Sequence, residues 1–219
     1  MSLRINDVAP NFTTDSTAGT LTLHDWMGDS YAILFSHPKD FTPVCTTEFG
    51  AVARLAPEFA KRNTKVMGVS VDSVEEHHRW KNDIAQFAQA PADFPIIDDT
   101  SLQVAKLYNM LPAEAVLPDG RTPADSATVR TVFIIGPDKK IRLTMAYPMS
   151  VGRNFAEILR ALDAIQATDG VPLATPADWV PGQDVIVGLS LTDEQAKEKY
   201  GKVDVRLPYL RFIADPSKQ

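Results

Sequence analysis

Two short apolar runs, separated by one amphipathic stretch, constrain this chain more than anything else in it. Tyr31–Ser36 (YAILFS) lies between Gly28-Asp29-Ser30 and His37-Pro38, and Lys65–Val71 (KVMGVSV) follows it; each reads as a buried strand. Between them, CTTEFGAVARLAPEFAKR spaces Phe49, Val52, Leu55, Ala56 and Phe59 along one side of a helix. Strand, helix and strand in that order predict two parallel strands joined by a right-handed crossover, which makes the fold α/β.

The remaining pattern extends this unit. Val74–Phe87 reads as a helix, opened by Asp72 and Ser73 and carrying Glu75 and Glu76 in its first turn, where negative charge is favourable. Pro95–Ile97 is a short extended piece and Ser101–Tyr108 a short helix. Val129–Ile135 and Ile141–Ala146 flank Gly136-Pro137-Asp138-Lys139-Lys140 and predict a β-hairpin. Asn154–Ile165 is amphipathic and closes the core. After about Ala167 the texture changes, with Pro172, Pro176, Pro181 and Pro208 and a weak apolar pattern. The expected organisation is a core domain over residues 1–167 and a smaller unit over 168–219, too small to hold a core of its own.

Charge and cysteine content exclude several functions. The net charge of -6, with no Lys/Arg block, argues against nucleic acid or an anionic membrane surface as main partner. No stretch approaches the ~20 apolar residues of a membrane span, so no stable membrane association is expected. The opening MSLRINDVAP lacks the apolar run of a signal peptide. A single cysteine rules out a disulfide framework within the chain, a Cys-x-x-Cys motif and a multi-cysteine zinc site. Together these features point to a reducing cytoplasm. No metal site is expected; His77 and His78 are adjacent on a helix and so face different ways.

That single cysteine sits in SHPKDFTPVCTTE, Ser36–Glu48, where a predicted strand hands over to a predicted helix. Thr42 suits the N-cap and Pro43 the first helical position. Cys45 then falls in the first turn, near the free N–H groups and the positive end of the helix dipole, which favour a thiolate. Pro38 stiffens the approach and shields one side. The Thr42 hydroxyl is within reach of the sulfur or of an oxygen bound to it.

Pro38-x-x-x-Thr42-x-x-Cys45 resembles the active-site signature of peroxiredoxins. The longer string, with LAPEFAKRN (Leu55–Asn63), FPIIDD (Phe94–Asp99), GPDKK (Gly136–Lys140), GRNFAEILR (Gly152–Arg160) and ATPADWVPG (Ala174–Gly182), is similar to the one-cysteine, peroxiredoxin-6-type branch over nearly the whole chain. The resemblance implies a thioredoxin-like fold, a central mixed sheet flanked by helices with a small C-terminal domain. It implies a thiol-dependent peroxidase that reduces hydrogen peroxide and organic hydroperoxides through a sulfenic acid on Cys45. It also implies a distant arginine completing the pocket, here Arg130 in VRTVFIIGPDKK. Thr42 is the third catalytic position. Pro38, Val44, His37, Glu48 and Arg153 are candidate substrate-binding positions, with Glu48 a candidate anchor for Arg130 or Arg153. No bound cofactor is implied. The partners implied are a peroxide, an external thiol reductant and a second copy of the chain, to which the C-terminal unit is contributed, in a homodimer or a higher assembly of dimers; a disulfide between two copies of Cys45 is the alternative to the external thiol.

The chemistry says which of these residues must do most. A free thiol of pKa ~8.5 is ~3% thiolate at pH 7. Lowering it by about two units gains roughly 25-fold in thiolate, yet a Brønsted slope of about 0.45 returns ~8-fold of that as lost nucleophilicity. The net gain is only about threefold. The larger contribution must stabilise the charge growing on the departing oxygen, and Arg130 offers a permanently charged fork of donors for it.

Two other functions compete. The same branch is associated with a phospholipase activity, whose residues match His24, Ser30 and Asp138. Here the string is Gly28-Asp29-Ser30-Tyr31-Ala32, with alanine at its last glycine, and Ser30 precedes a strand, whereas a nucleophile elbow lies between strand and helix. A non-catalytic, chaperone-like binding role is the other.

Overall fold

The computed structural model describes residues 3–112 and 127–216, grouped into two compact units, Met1–Phe155 and Ala156–Gln219. In chain order the first unit holds β1 (Thr13–Thr14), β2 (Leu21–Thr22), α1 (Leu23–Met27), β3 (Tyr31–Ser36), α2 (Pro43–Lys61), β4 (Thr64–Ser70), α3 (Val74–Ala88), β5 (Ile96–Asp98), α4 (Gln103–Leu107), β6 (Arg130–Ile135) and β7 (Ile141–Tyr147). The second holds α5 (Phe155–Thr168), β8 (Leu173–Ala174), β9 (Val185–Val187), α6 (Asp193–Tyr200), β10 (Asp204–Leu207) and β11 (Leu210–Ile213).

The predicted crossover is present. β3 and β4 pair in parallel from Tyr31↔Thr64 to Ser36↔Val69, with α2 between them in sequence. β5 continues the parallel side, whereas β6 pairs antiparallel with β3 and β7 antiparallel with β6. The sheet order β5-β4-β3-β6-β7 is therefore mixed, with β3 at its centre.

Period-two alternation divides the core. Ala32 and Leu34 join Met67, Val69, Ile97, Phe133 and Ile135 in one apolar cluster, which Leu23, Met27 and Tyr108 extend. Phe35 points to the other face, where the ring of Phe49 from α2 lies 4.8 Å away and that of Trp80 from α3 lies 4.7 Å beyond Phe49. Gly68, paired with Phe35, makes this packing possible: a Cβ there would lie 2.7 Å from the Phe49 ring. Gly50 does the same between α2 and α3, with Phe87 at 2.7 Å from a hypothetical Cβ. α3 starts on a complete capping box between Ser73 and Glu76.

The second unit corrects one expectation. Its strands form the antiparallel order β10-β11-β9-β8, and Leu173, Trp179, Val185, Val187, Ala196 and Ile213 make a small core of their own. Ala164 and Ala167 of α5 pack against that core, so α5, grouped by sequence with the first unit, belongs by contact to the second. Strands of two to four residues are too short to show alternation in the sequence.

Candidate active site

The site is built where β3 ends and α2 begins. Thr42 has the extended backbone of an N-cap (φ -113°, ψ 148°), and Pro43 occupies the first turn as predicted. The Thr42 side chain does not cap the helix; its hydroxyl donates to the Lys39 carbonyl at 2.9 Å. The first backbone bond here runs from Thr46 N–H to the Thr42 carbonyl at 3.0 Å, so the N–H groups of Val44 and Cys45 precede it. Phe41 adopts φ 54°, a left-handed conformation that costs an L side chain about 1–2 kcal/mol.

Cys45 is 0% exposed, but its neighbours are charged. Arg130 Nη1 donates to Cys45 Sγ at 3.4 Å. Topology brings the two together: Val132 pairs with Phe35, so Arg130, two residues upstream on the antiparallel β6, lies at the end of β3 where α2 starts. The same Nη1 donates to Glu48 Oε2 at 2.7 Å, and Arg130 Nε donates to the Met149 carbonyl at 2.8 Å. Glu48, one helical turn after Cys45, also holds Arg153. Its Oε1 takes the Arg153 backbone N–H at 2.8 Å and Nε–H at 2.9 Å, and its Oε2 takes Nη2–H at 2.7 Å. The remaining Arg153 nitrogen, Nη1, donates to the Thr131 carbonyl at 3.1 Å, and the guanidinium lies 5.1 Å from the Phe35 ring centroid.

Glu48 therefore anchors both arginines. Burial opposes its ionisation, but hydrogen bonds and charge from Arg153, and then the charge of Arg130, hold its carboxyl below the usual carboxylate range. Burial pushes Arg153 down while Glu48 resists it; a guanidinium stays charged throughout. Two guanidiniums against one carboxylate leave one positive charge in excess beside the Cys45 sulfur.

The other predicted positions divide. Val44 is half-buried and lies against Gly152, where a Cβ would be 3.5 Å from Val44 Cγ1. Pro38 is half-buried at the loop entrance. His37 belongs to a second buried cluster: its Nε2 is 2.7 Å from Asp40 Oδ1, and its ring packs 4.5 Å from Phe49 and 5.0 Å from Trp80. Burial, opposed by Asp40, holds this imidazole below its ordinary pKa and so neutral. His37, Asp40 and Asp72 offer donor atoms within 4.8 Å of one another, but those groups already bond within the protein, Asp72 Oδ2 taking Asp40 N–H at 2.8 Å and Ser70 Oγ–H at 2.7 Å. His77 is buried and His78 exposed, as their adjacency on a helix requires.

The hydrolase residues are each engaged elsewhere. The Ser30 hydroxyl donates to Asn63 Oδ1 at 2.9 Å, His24 Nε2 bonds the Ala9 carbonyl at 2.8 Å, and Asp138 pairs with Arg142 at 3.0 Å. These contacts leave no Ser–His–Asp relay among the described residues.

The AhpC/TSA family model matches residues 5–144, and the model for the C-terminal domain of 1-Cys peroxiredoxin matches residues 164–202. The chain is 50% identical over 213 residues to the mitochondrial peroxiredoxin PRX1 of Saccharomyces cerevisiae, covering 96% of this chain and 80% of that protein. It is 48% identical over 225 residues to peroxiredoxin-6 of Mus musculus, covering 98% of each. The solved structure of the yeast mitochondrial 1-Cys peroxiredoxin superposes with a TM-score of 0.89 at 49% identity, over 97% of this chain and 99% of that one. The chain belongs to the one-cysteine peroxiredoxins.

As a peroxiredoxin it has the thioredoxin-like fold and is a thiol-dependent peroxidase, an oxidoreductase. Among the described residues, no helix is long and apolar enough to cross a membrane. Sequence reasoning missed several buried partners of the segments that carry Cys45 and Arg130 in this peroxiredoxin: Asp40, Asp72 and His77, the Met149 carbonyl behind Arg130, and Trp80, whose Nε1 donates to Thr46 Oγ1 at 3.1 Å. One signal was available. His77 sits on the stripe His77, Trp80, Ile84, Ala88, and a histidine on an apolar face needs buried partners.

Proposed function

We propose that the Cys45 thiolate attacks one oxygen of a hydroperoxide while Arg130 stabilises the oxygen that leaves. The sulfur is oxidised to sulfenic acid, the S–O bond forms as the O–O bond breaks, and the peroxide departs as hydroxide or alkoxide, which a proton from solvent converts to water or alcohol. The observation that carries this reading is the Arg130 Nη1 atom, 3.4 Å from the sulfur and fixed from behind by Glu48 and the Met149 carbonyl. A donor held in place before the reaction need not reorganise as charge develops.

The other positions follow from this step. The Thr42 hydroxyl gives its proton to Lys39, so its lone pairs are free to accept the peroxide O–H. The Val44 and Cys45 N–H groups add donors at the helix mouth, and Pro38 and Val44 keep water out. Arg153 acts through Glu48. His37 packs at the strand end beside the pocket.

With one cysteine in the chain, the sulfenic acid is reduced by an external thiol. The yeast relative is described as resolved through glutathione and thioredoxin systems, and we assign the same class of reductant here. Such a reductant places the protein in a reducing compartment, the cytosol in our reading, although the yeast relative is named as mitochondrial. We further assign a homodimer. Leu189, Val205, Leu207 and Tyr209 expose apolar surface on the second unit, which supports an interface there.

The test is rapid-mixing consumption of hydrogen peroxide with dithiothreitol as reductant, wild type against Cys45→Ser, with mass spectrometry of a dimedone adduct on Cys45. Wild type is expected to turn over and form the adduct, and the serine variant to do neither. Undiminished consumption by Cys45→Ser would sink the assignment.

A further inference from the structure

Cys45 has no exposed surface, so a thiol reaches its oxidised sulfur only when the loop from His37 to Thr42 and the first turn of α2 lift. The contacts that hold this segment down concentrate on and just before α3. The Asp40 carboxylate takes His77 Nδ1–H at 2.6 Å on one oxygen and His37 Nε2–H at 2.7 Å on the other. His77 Nε2 donates to the Ile97 carbonyl at 3.1 Å. Both ring nitrogens of His77 are therefore engaged. Asp72 holds the Asp40 backbone N–H at 2.8 Å. Three residues along α3 from His77, Trp80 Nε1 donates to Thr46 Oγ1 at 3.1 Å, and Thr46 Oγ1 in turn donates to the Thr42 carbonyl at 2.9 Å. Between these anchors Phe41 is kept at φ 54°, so the segment is clamped in a conformation its own backbone disfavours. Beside it lies an open groove of about 530 Å³ lined by Phe41, Thr42, Thr46 and Phe87 among others.

We propose that His77 is a positioning residue that latches the Cys45 loop through Asp40 and thereby sets how fast an external thiol reduces the sulfenic acid. This rests on the peroxidase reading of Cys45. The step it governs is attack of a thiolate on the sulfenic sulfur: an S–S bond forms, the S–O bond breaks, and the oxygen leaves as hydroxide and takes a proton to become water. A second thiolate then attacks the mixed disulfide, releasing the Cys45 thiolate and an oxidised disulfide. Whatever loosens the latch raises the open fraction and so the rate of the first attack.

The experiment separates the two half-reactions on the full chain. One equivalent of hydrogen peroxide without thiol gives the rate of sulfenate formation, and failure of wild type at that stage removes the peroxidase reading itself. Dithiothreitol is then added to the oxidised protein and loss of sulfenate is followed by quenched mass spectrometry. His77→Gln keeps a donor for the Ile97 carbonyl and loses the one to Asp40; it is expected to speed the thiol step about tenfold. Its yield of sulfinic acid under excess peroxide should fall, because the open sulfenate reacts with thiol first. His77→Asn retains a donor for Asp40 and is expected to stay within about threefold of wild type. Should His77→Gln not fold, Trp80→Phe, which keeps a ring and removes the N–H to Thr46, and Asp40→Asn carry the same test, each expected to speed the thiol step. A thiol step that is unchanged or slower in the folded variants, or equally faster in His77→Asn, overturns the proposal.

Discussion

Two buried polar clusters flank the start of α2, and they differ in how their charges close. Around Glu48, two guanidiniums meet one carboxylate, and the surplus positive charge faces the Cys45 sulfur. Around Asp40, one carboxylate sits between two imidazoles, with Asp72 on its backbone. The first cluster keeps surplus positive charge beside the sulfur, which in the proposed mechanism meets the charge formed in the reaction. The second is nearly saturated by its own hydrogen bonds, so it fixes where the loop lies. We therefore assign chemistry to the unbalanced cluster and geometry to the closed one.

Three experiments test that division. The largest expected effect comes from Glu48→Gln, which leaves Arg130 and Arg153 buried without their counter-charge; removal of one partner from such a network costs about 3–5 kcal/mol. It should appear as a lower urea midpoint at unchanged m-value, and a midpoint equal to wild type would mean that the charge surplus is not what Glu48 controls. Next is Arg130→Lys, which preserves the charge and removes the fork shared among sulfur, Glu48 and Met149. The second-order rate with peroxide is expected to drop about 10²-fold, as for loss of one preorganised donor. A near-wild-type rate would reduce Arg130 to a point charge.

The smallest effect sharpens the contrast through pH. His37 is held neutral in the fold, so below about 6.5 the unfolded chain binds a proton that the fold refuses, and stability declines with falling pH from there. Glu48 and Asp40 have lowered pKa values, so their stabilisation is full above about 4 and is lost as pH falls through those values. Thermal melts between pH 7.5 and 3.5 should show a shallow decline followed by a steeper one. The shallow part should vanish in His37→Asn. A wild-type melting temperature that is flat down to pH 5 would contradict the neutral imidazole.

Much of this was legible before the fold. The β3–α2–β4 crossover, the Thr42-Pro43 helix start and the β6–β7 hairpin follow from apolar spacing and turn residues, which act over a few residues and leave a local trace. The resemblance supplied Arg130, and proximity to Cys45 suggested Glu48. The core of the second unit left no such trace, because β8 and β10 are short and α5 supplies part of the packing.

The sequence by itself determined that one thiol would stand at a helix mouth, since strand, cap, proline and cysteine are contiguous there. Only the tertiary structure decided what surrounds that thiol. Arg130, Arg153 and His77 lie far along the chain from the residues they contact, and antiparallel β6 and the packing of α3 bring them in. Contacts between residues distant in sequence are set by strand order and register, and no local pattern of residue types encodes these.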